Sequence, residues 1–174
     1  MREHTINVYK FNELSDKAKE RALSDYCNHS CYNWDLEVME SLKKFLEHFE
    51  CIFRDWEIDF LEPYRNTYRI SYADLDEDEI KSLLDELGTY DKDTLKGHGD
   101  CKLTGYCSDE DLIDGFRMAW HKGVRDLEEL IHAGIQSWQK AVQADAEYQY
   151  SEEGYKDLCE ANDYEFHEDG RFFY

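Results

Sequence analysis

The chain has 174 residues, with 41 Asp and Glu against 20 Lys and Arg, a formal net charge of -21. A hydrophobic share of 41% and an aromatic share of 15% are too high for a chain that stays disordered, and the length suffices for one domain with its own core. The negative charge excludes direct binding to nucleic acid or anionic lipid as the main activity, and it favours basic proteins or cations.

Residues Thr5 to Phe11 alternate, with Ile6 and Val8 on one face, and predict a first strand. Ser15 is placed to cap a helix through about Asn28, whose inner face is Leu14, Ala18, Ala22 and Tyr26. A second helix is predicted from about Trp34 to Phe49, because Trp34, Val38, Leu42, Phe45 and Phe49 recur at three- and four-residue steps. The period then changes to two. Trp56, Ile58 and Phe60 alternate with Asp55, Glu57 and Asp59, which predicts a half-buried strand with an acidic outer face. Pro63 to Asn66 turns the chain, and Tyr68, Ile70 and Tyr72 return as the partner strand.

Asp76 with Glu79 predicts a capping box for a short helix ending at Gly88. Residues 89–107 hold three glycines and little periodicity, so an irregular loop is expected there. Ser108 with Asp111 is expected to cap a further helix carrying Leu112, Phe116 and Ala119, with Trp120 beside them, which Gly123 stops. A long helix is predicted from about Arg125 to Tyr148, and a shorter one from Glu152 to Ala161. Near the end, Asp169-Gly170 between extended halves is the best hairpin signal. The expectation is therefore a helix-rich α+β single domain with a small antiparallel sheet.

Three candidate sites stand out. The first is acidic: Asp55, Glu57 and Asp59 on one strand face, then Asp74, Asp76, Glu77 and Asp78. Alternate residues of a strand repeat at roughly 6.6–6.8 Å, so the first three form a row of carboxylates. Such a row can occupy Lys and Arg sites that otherwise hold phosphates, because the affinity of those sites is largely electrostatic. Acids at a helix start also answer the helix dipole, which accounts for part of the second group.

The second candidate is zinc, built from Cys27, Cys31, His98, Cys101 and Cys107. Cys27 and Cys31 share a helix face if the first helix persists, but the spacings match no standard zinc pattern. The third is calcium. Asp74, Asp76 and Asp78 have the opening rhythm of a calcium loop, whereas Glu79 stands where that loop needs glycine.

No P-loop, dinucleotide fingerprint or HExxH occurs, and the remaining histidines are scattered singles. The expectation is a protein without catalytic residues or cofactor. All four tryptophans fall on predicted inner faces. With thirteen tyrosines, some are expected in a protein interface. The N-terminus lacks an apolar signal core and no stretch has the length to cross a bilayer, so a cytoplasmic location is expected, with no membrane partner.

Several stretches carry a resemblance. Val8 to Ala22 (VYKFNELSDKAKERA), Cys101 to Cys107 (CKLTGYC), Gln143 to Gln149 (QADAEYQ) and Ala161 to Gly170 (ANDYEFHEDG) resemble segments of a family of uncharacterised bacteriophage and prophage proteins, some described as antitoxin-like. The resemblance spans most of the chain and implies a phage or mobile-element source. It implies no catalytic residues. Small acidic phage proteins of this kind are often counter-defence factors, such as anti-CRISPR or anti-restriction proteins.

Charge and resemblance together lead to one expectation. The chain inhibits a host nuclease in the bacterial cytoplasm by docking Asp55, Glu57, Asp59, Asp74, Asp76, Glu77 and Asp78 onto the basic surface that holds nucleic acid. Two alternatives stay open: an antitoxin-like or regulatory partner that binds through a hydrophobic interface, and a zinc-containing protein.

Overall fold

The Ser15 hydroxyl accepts the Ala18 amide at 3.3 Å and starts helix α1, Asp16–His29, in the computed structural model of this chain. The structure describes residues 7–87, 103–106 and 108–173. By backbone contacts the described residues form two units, one drawn from Met1–Asn33 and Asp145–Tyr174, the other from Trp34–Ala144.

In the first unit, α1 turns Ala18 and Ala22 into a core with Phe11, Leu14, Tyr155, Cys159 and Phe166. The edge of Phe11 meets Tyr155 at 5.3 Å, and Tyr26 stacks on Tyr155 at 4.5 Å. The strand expected at 5–11 is, over its described part, a single antiparallel bridge between Tyr9 and Phe166. The reason is local. Glu13 takes the Lys10 amide at 2.7 Å and the chain coils at once into a 3-10 turn, Phe11–Glu13, which drives Phe11 inward.

The hairpin expected at Asp169-Gly170 forms as a turn, closed by one Phe166–Phe172 bridge. Gly170 has φ +86, and a Cβ there would stand 2.1 Å from the Ala18 carbonyl oxygen. Both the backbone angle and the close approach therefore call for glycine.

The second unit begins with α2, Asp35–His48, which buries Val38, Met39, Leu42, Phe45 and Leu46. Strand β1, Ile52–Glu57, pairs antiparallel with β2, Thr67–Ser71. Asp76 accepts the Glu79 amide while Glu79 accepts the Asp76 amide, both at 2.9 Å, and this expected capping box opens α3, Glu77–Glu86. Helix α4, Ser108–His121, packs Phe116 flat on Phe49 at 4.3 Å. Helix α5, Leu127–Gln149, adds Leu130, Ile131, Ile135 and Trp138, all buried. Helix α6, Glu152–Ala161, has the predicted bounds and belongs to the first unit. The fold is thus helix-rich α+β with a small antiparallel sheet, as the patterning predicts.

Two expectations are corrected here, Ser108 as the α4 cap and Trp34 and Trp56 as inner residues. Ser108 is the first residue of α4, and its hydroxyl donates to Ser41 at 2.7 Å. The acid at that helix start, Asp109, is fully buried and accepts the Thr104 and Gly105 amides, both at 2.9 Å, and the Thr104 hydroxyl. It ties the 103–106 segment to α4 instead of facing water. Trp34 and Trp56, expected inside, are 55% and 46% exposed. The loop expected at 89–107 lies outside the described residues except for 103–106.

Candidate interaction surface

All seven acids of the expected surface belong to the Trp34–Ala144 unit. They fall into two groups, one on and after β1, the other at the approach to α3. Asp59 is half-buried and the other six are exposed.

The carboxylate row expected on β1 is not a regular ladder. Asp55 has φ 49, in the left-handed region, and the pairing slips between Arg54 and Glu57. A bulge of this kind adds a residue to one strand and re-aims the side chains beyond it, so Asp55 and Glu57 do not repeat at the simple strand spacing. Asp59 lies past the strand end. Its carboxylate accepts the Leu61 and Glu62 amides at 3.0 and 2.9 Å, which makes it the residue that shapes the turn.

Partner cations divide the rest. Arg69 stands 3.5 Å from Asp55. Arg125, stacked 4.0 Å from the centre of the Trp120 ring, pairs with Glu77 at 2.7 Å. Asp76 is committed to its helix cap, which also answers the calcium reading of this segment. Glu57, Asp74 and Asp78 are exposed and make no ion pair among the described residues. Residues 34–87 carry sixteen acids and six Lys or Arg, a net charge of -10.

A groove in the same unit gathers residues outside the expected acidic surface. It measures about 550 Å³ and lies between α2 and the chain from Trp56 to Phe60. Leu36, Met39, Glu40 and Lys43 come from α2, where steps of three and four residues share a face. Trp56, Ile58 and Phe60 form the opposite wall, and Tyr106 completes it. The period-two pattern did place Trp56, Ile58 and Phe60 together. They line an open groove, however, instead of a sealed core. Leu36 was the available signal, since it is apolar yet sits off the inward-facing steps of α2.

The zinc candidates are only partly described. Helix α1 ends at His29 and Ser30 is extended, so Cys31 leaves the helix and does not share a face with Cys27. Both thiols are exposed and free. His98, Cys101 and Cys107 lie outside the described residues. No group of three or more His, Cys, Asp or Glu is gathered for a metal among the described residues.

A second, wider cleft of about 700 Å³ lies in the first unit, floored by Ala22, Tyr155, Leu158 and Phe166. Arg171 on its rim is bound to Asp169 at 2.9 Å, and so is Arg21. No helix of the described residues is long and apolar enough to cross a membrane. Comparison with protein-family models, with curated proteins and with solved structures finds no match for this chain.

Proposed function

We propose that this protein is a non-catalytic binder of a basic protein surface, and that the Trp34–Ala144 unit carries the contact. The observation behind the reading is the trio Glu57, Asp74 and Asp78, exposed and without ion pairs among the described residues, in a stretch of net charge -10. Exposed carboxylates that form no ion pair on a folded unit attract a cationic groove, with Lys81 screening Asp78 in part. Asp55 and Glu77 support the same field, weakened by Arg69 and Arg125.

The resemblance to phage and prophage proteins directs the proposal to a partner. It is a host nuclease that binds nucleic acid, blocked in the bacterial cytoplasm as a form of counter-defence. Because of the bulge at Asp55, this reading rests on local charge and not on a row of carboxylates with phosphate spacing. A second reading, an apolar interface, is favoured by the exposed Leu36, Trp56 and Tyr106 around the groove.

The test is capture of host proteins at two salt concentrations, with and without competing duplex DNA. A nucleic-acid-binding partner that is released by salt and by DNA, and lost with Glu57→Lys, Asp74→Lys and Asp78→Lys combined, supports the proposal. Exposed charges are screened within roughly 8 Å at physiological ionic strength. A complex indifferent to salt, DNA and charge reversal overturns it.

A further inference from the structure

We infer that the groove between α2 and Trp56–Phe60 seats a partner segment bearing one apolar anchor side chain flanked by Lys or Arg. The inference rests on the proposed basic partner and names where, and by what chemistry, that partner is gripped.

The apolar half of the argument comes from exposure. Leu36 is 78% exposed, and Trp56 and Tyr106 are nearly half exposed. They line the groove together with buried Met39 and half-buried Ile58 and Phe60. Large apolar groups arranged around a concavity leave a desolvation gain unclaimed until something enters. Tryptophan and tyrosine are the residues that most often carry binding energy at such places. A pocket of roughly 300–1,000 Å³ accommodates a ligand of drug size, so about 550 Å³ suits one or two side chains and not the face of a long helix.

The polar half comes from the rim. Asp35, Glu37 and Glu40 line the groove with Lys43 as the one cation among its lining residues. The Lys43 ammonium lies 5.3 Å from the centre of the Trp56 ring, close enough for a cation–π contact. Three carboxylates against one ammonium select a cationic guest and repel nucleic acid. They also disfavour a second copy of the chain, whose own net charge is -21. A guest Arg can lie against Trp56 in the way Lys43 does while its guanidinium reaches Glu37 or Glu40. The groove therefore asks for an anchor and a cation side by side, a combination found in basic protein segments.

The experiment uses the full chain and two synthetic peptides of arginine and lysine, one with a central Leu-Trp pair, the other with Ser-Ser. Fluorescence anisotropy gives affinities, and the indole N–H resonances of the isotope-labelled chain report on Trp56, assigned with Trp56→Phe. The anchored peptide is expected to bind about tenfold more tightly than its serine counterpart, a difference of about 1.4 kcal/mol, and to shift the Trp56 indole. Leu36→Ser, a change at an exposed position, is expected to erase that difference and leave the serine peptide's affinity unchanged. Equal affinity of the two peptides overturns the inference. If their binding is then lost on reversing Glu57, Asp74 and Asp78, the charge-based reading survives without the groove. Failure of both peptides to bind at low salt removes both. Self-association of the chain that Leu36→Ser abolishes assigns the groove to a second copy and also overturns the inference.

Discussion

The Cα of Gly134 lies 3.0 Å from where a Cβ on Gly115 would stand, so α4 and α5 touch backbone to backbone at this pair. The same hypothetical Cβ would sit 2.5 Å from the Ala133 carbonyl oxygen, and one on Gly134 would sit 2.8 Å from that of Leu112. Helix propensity alone favours alanine over glycine by roughly 0.8–1.0 kcal/mol. Here the contact with rigid backbone outweighs it. Gly115→Ala is expected to destabilise the protein by about 1–3 kcal/mol, the usual range for forcing extra atoms into a packed core. Urea unfolding reads the sign directly, and a stabilised variant would contradict the close packing.

Asp109 has no contact with water to fall back on. Its carboxylate serves two backbone amides and the Thr104 hydroxyl from a fully buried position. Asp109→Ala leaves those donors unsatisfied and is expected to cost about 2–3 kcal/mol. Thr104→Val keeps the two backbone amides on Asp109 but removes the hydroxyl that donates to it, accepts the Tyr106 amide and pairs with the Ser41 hydroxyl. The Thr104 and Gly105 amides are the ones whose hydrogen exchange should accelerate most.

Asp111 should make stability depend on pH in a sense opposite to most carboxylates. Burial, with Glu110 and Asp114 nearby, pushes it from 3.8 up to about 6. Because the folded chain holds this proton more tightly than the unfolded one, the contribution is fully present below pH 3.8 and is lost as the pH rises through 6. Asp111→Asn is expected to raise stability at pH 7 by on the order of 1 kcal/mol, less than the whole shift implies because the group is partly solvated. Thermal melts at pH 4 and pH 7 check this, since the gain should vanish at the lower pH.

Thiol labelling of the native chain should separate the described cysteines. Cys27 and Cys31 are exposed, whereas Cys51 and Cys159 are buried. Burial pushes the Cys159 thiol up to about 11 and raises Cys51 as well, which leaves little reactive thiolate at neutral pH. Cys31 is expected to label before Cys27, whose thiol is raised by partial burial and points to the Tyr150 carbonyl at 3.8 Å. Peptide mapping after a brief exposure to iodoacetamide gives the order, and early labelling at Cys159 would contradict the packing of the first core.

Helices were the legible part of this sequence. Ser15, the Asp76–Glu79 pair and the α6 bounds follow from short-range capping and periodicity, and such signals survive whatever the rest of the chain does. The extended segments were harder to read. Tyr9 and Phe166 find each other across more than 150 residues, and the alternation at Thr5 to Phe11 suggests a full strand where the described residues form one bridge. Asp55 breaks the β1 pattern through a left-handed backbone angle that nothing in its neighbours announces. The acids of the proposed site were visible as composition, but which of them are already paired was not, since Arg69 and Arg125 reach Asp55 and Glu77 only through tertiary placement. The groove escaped for a related reason: a period of two assigns Trp56 to a face without saying whether anything covers it.

The kink at Asp55 has a consequence for how the protein behaves when concentrated. Among the described residues, β1 and β2 form a two-stranded ribbon, and each has one side without a strand partner. A straight border of that sort is a template on which other chains can add strand by strand. The displaced backbone at Asp55 interrupts the regular spacing such growth needs, and the carboxylates of Asp55 and Glu57 repel an identical neighbour. The residue that spoils the ribbon's regularity thereby makes strand-by-strand growth along β1 harder.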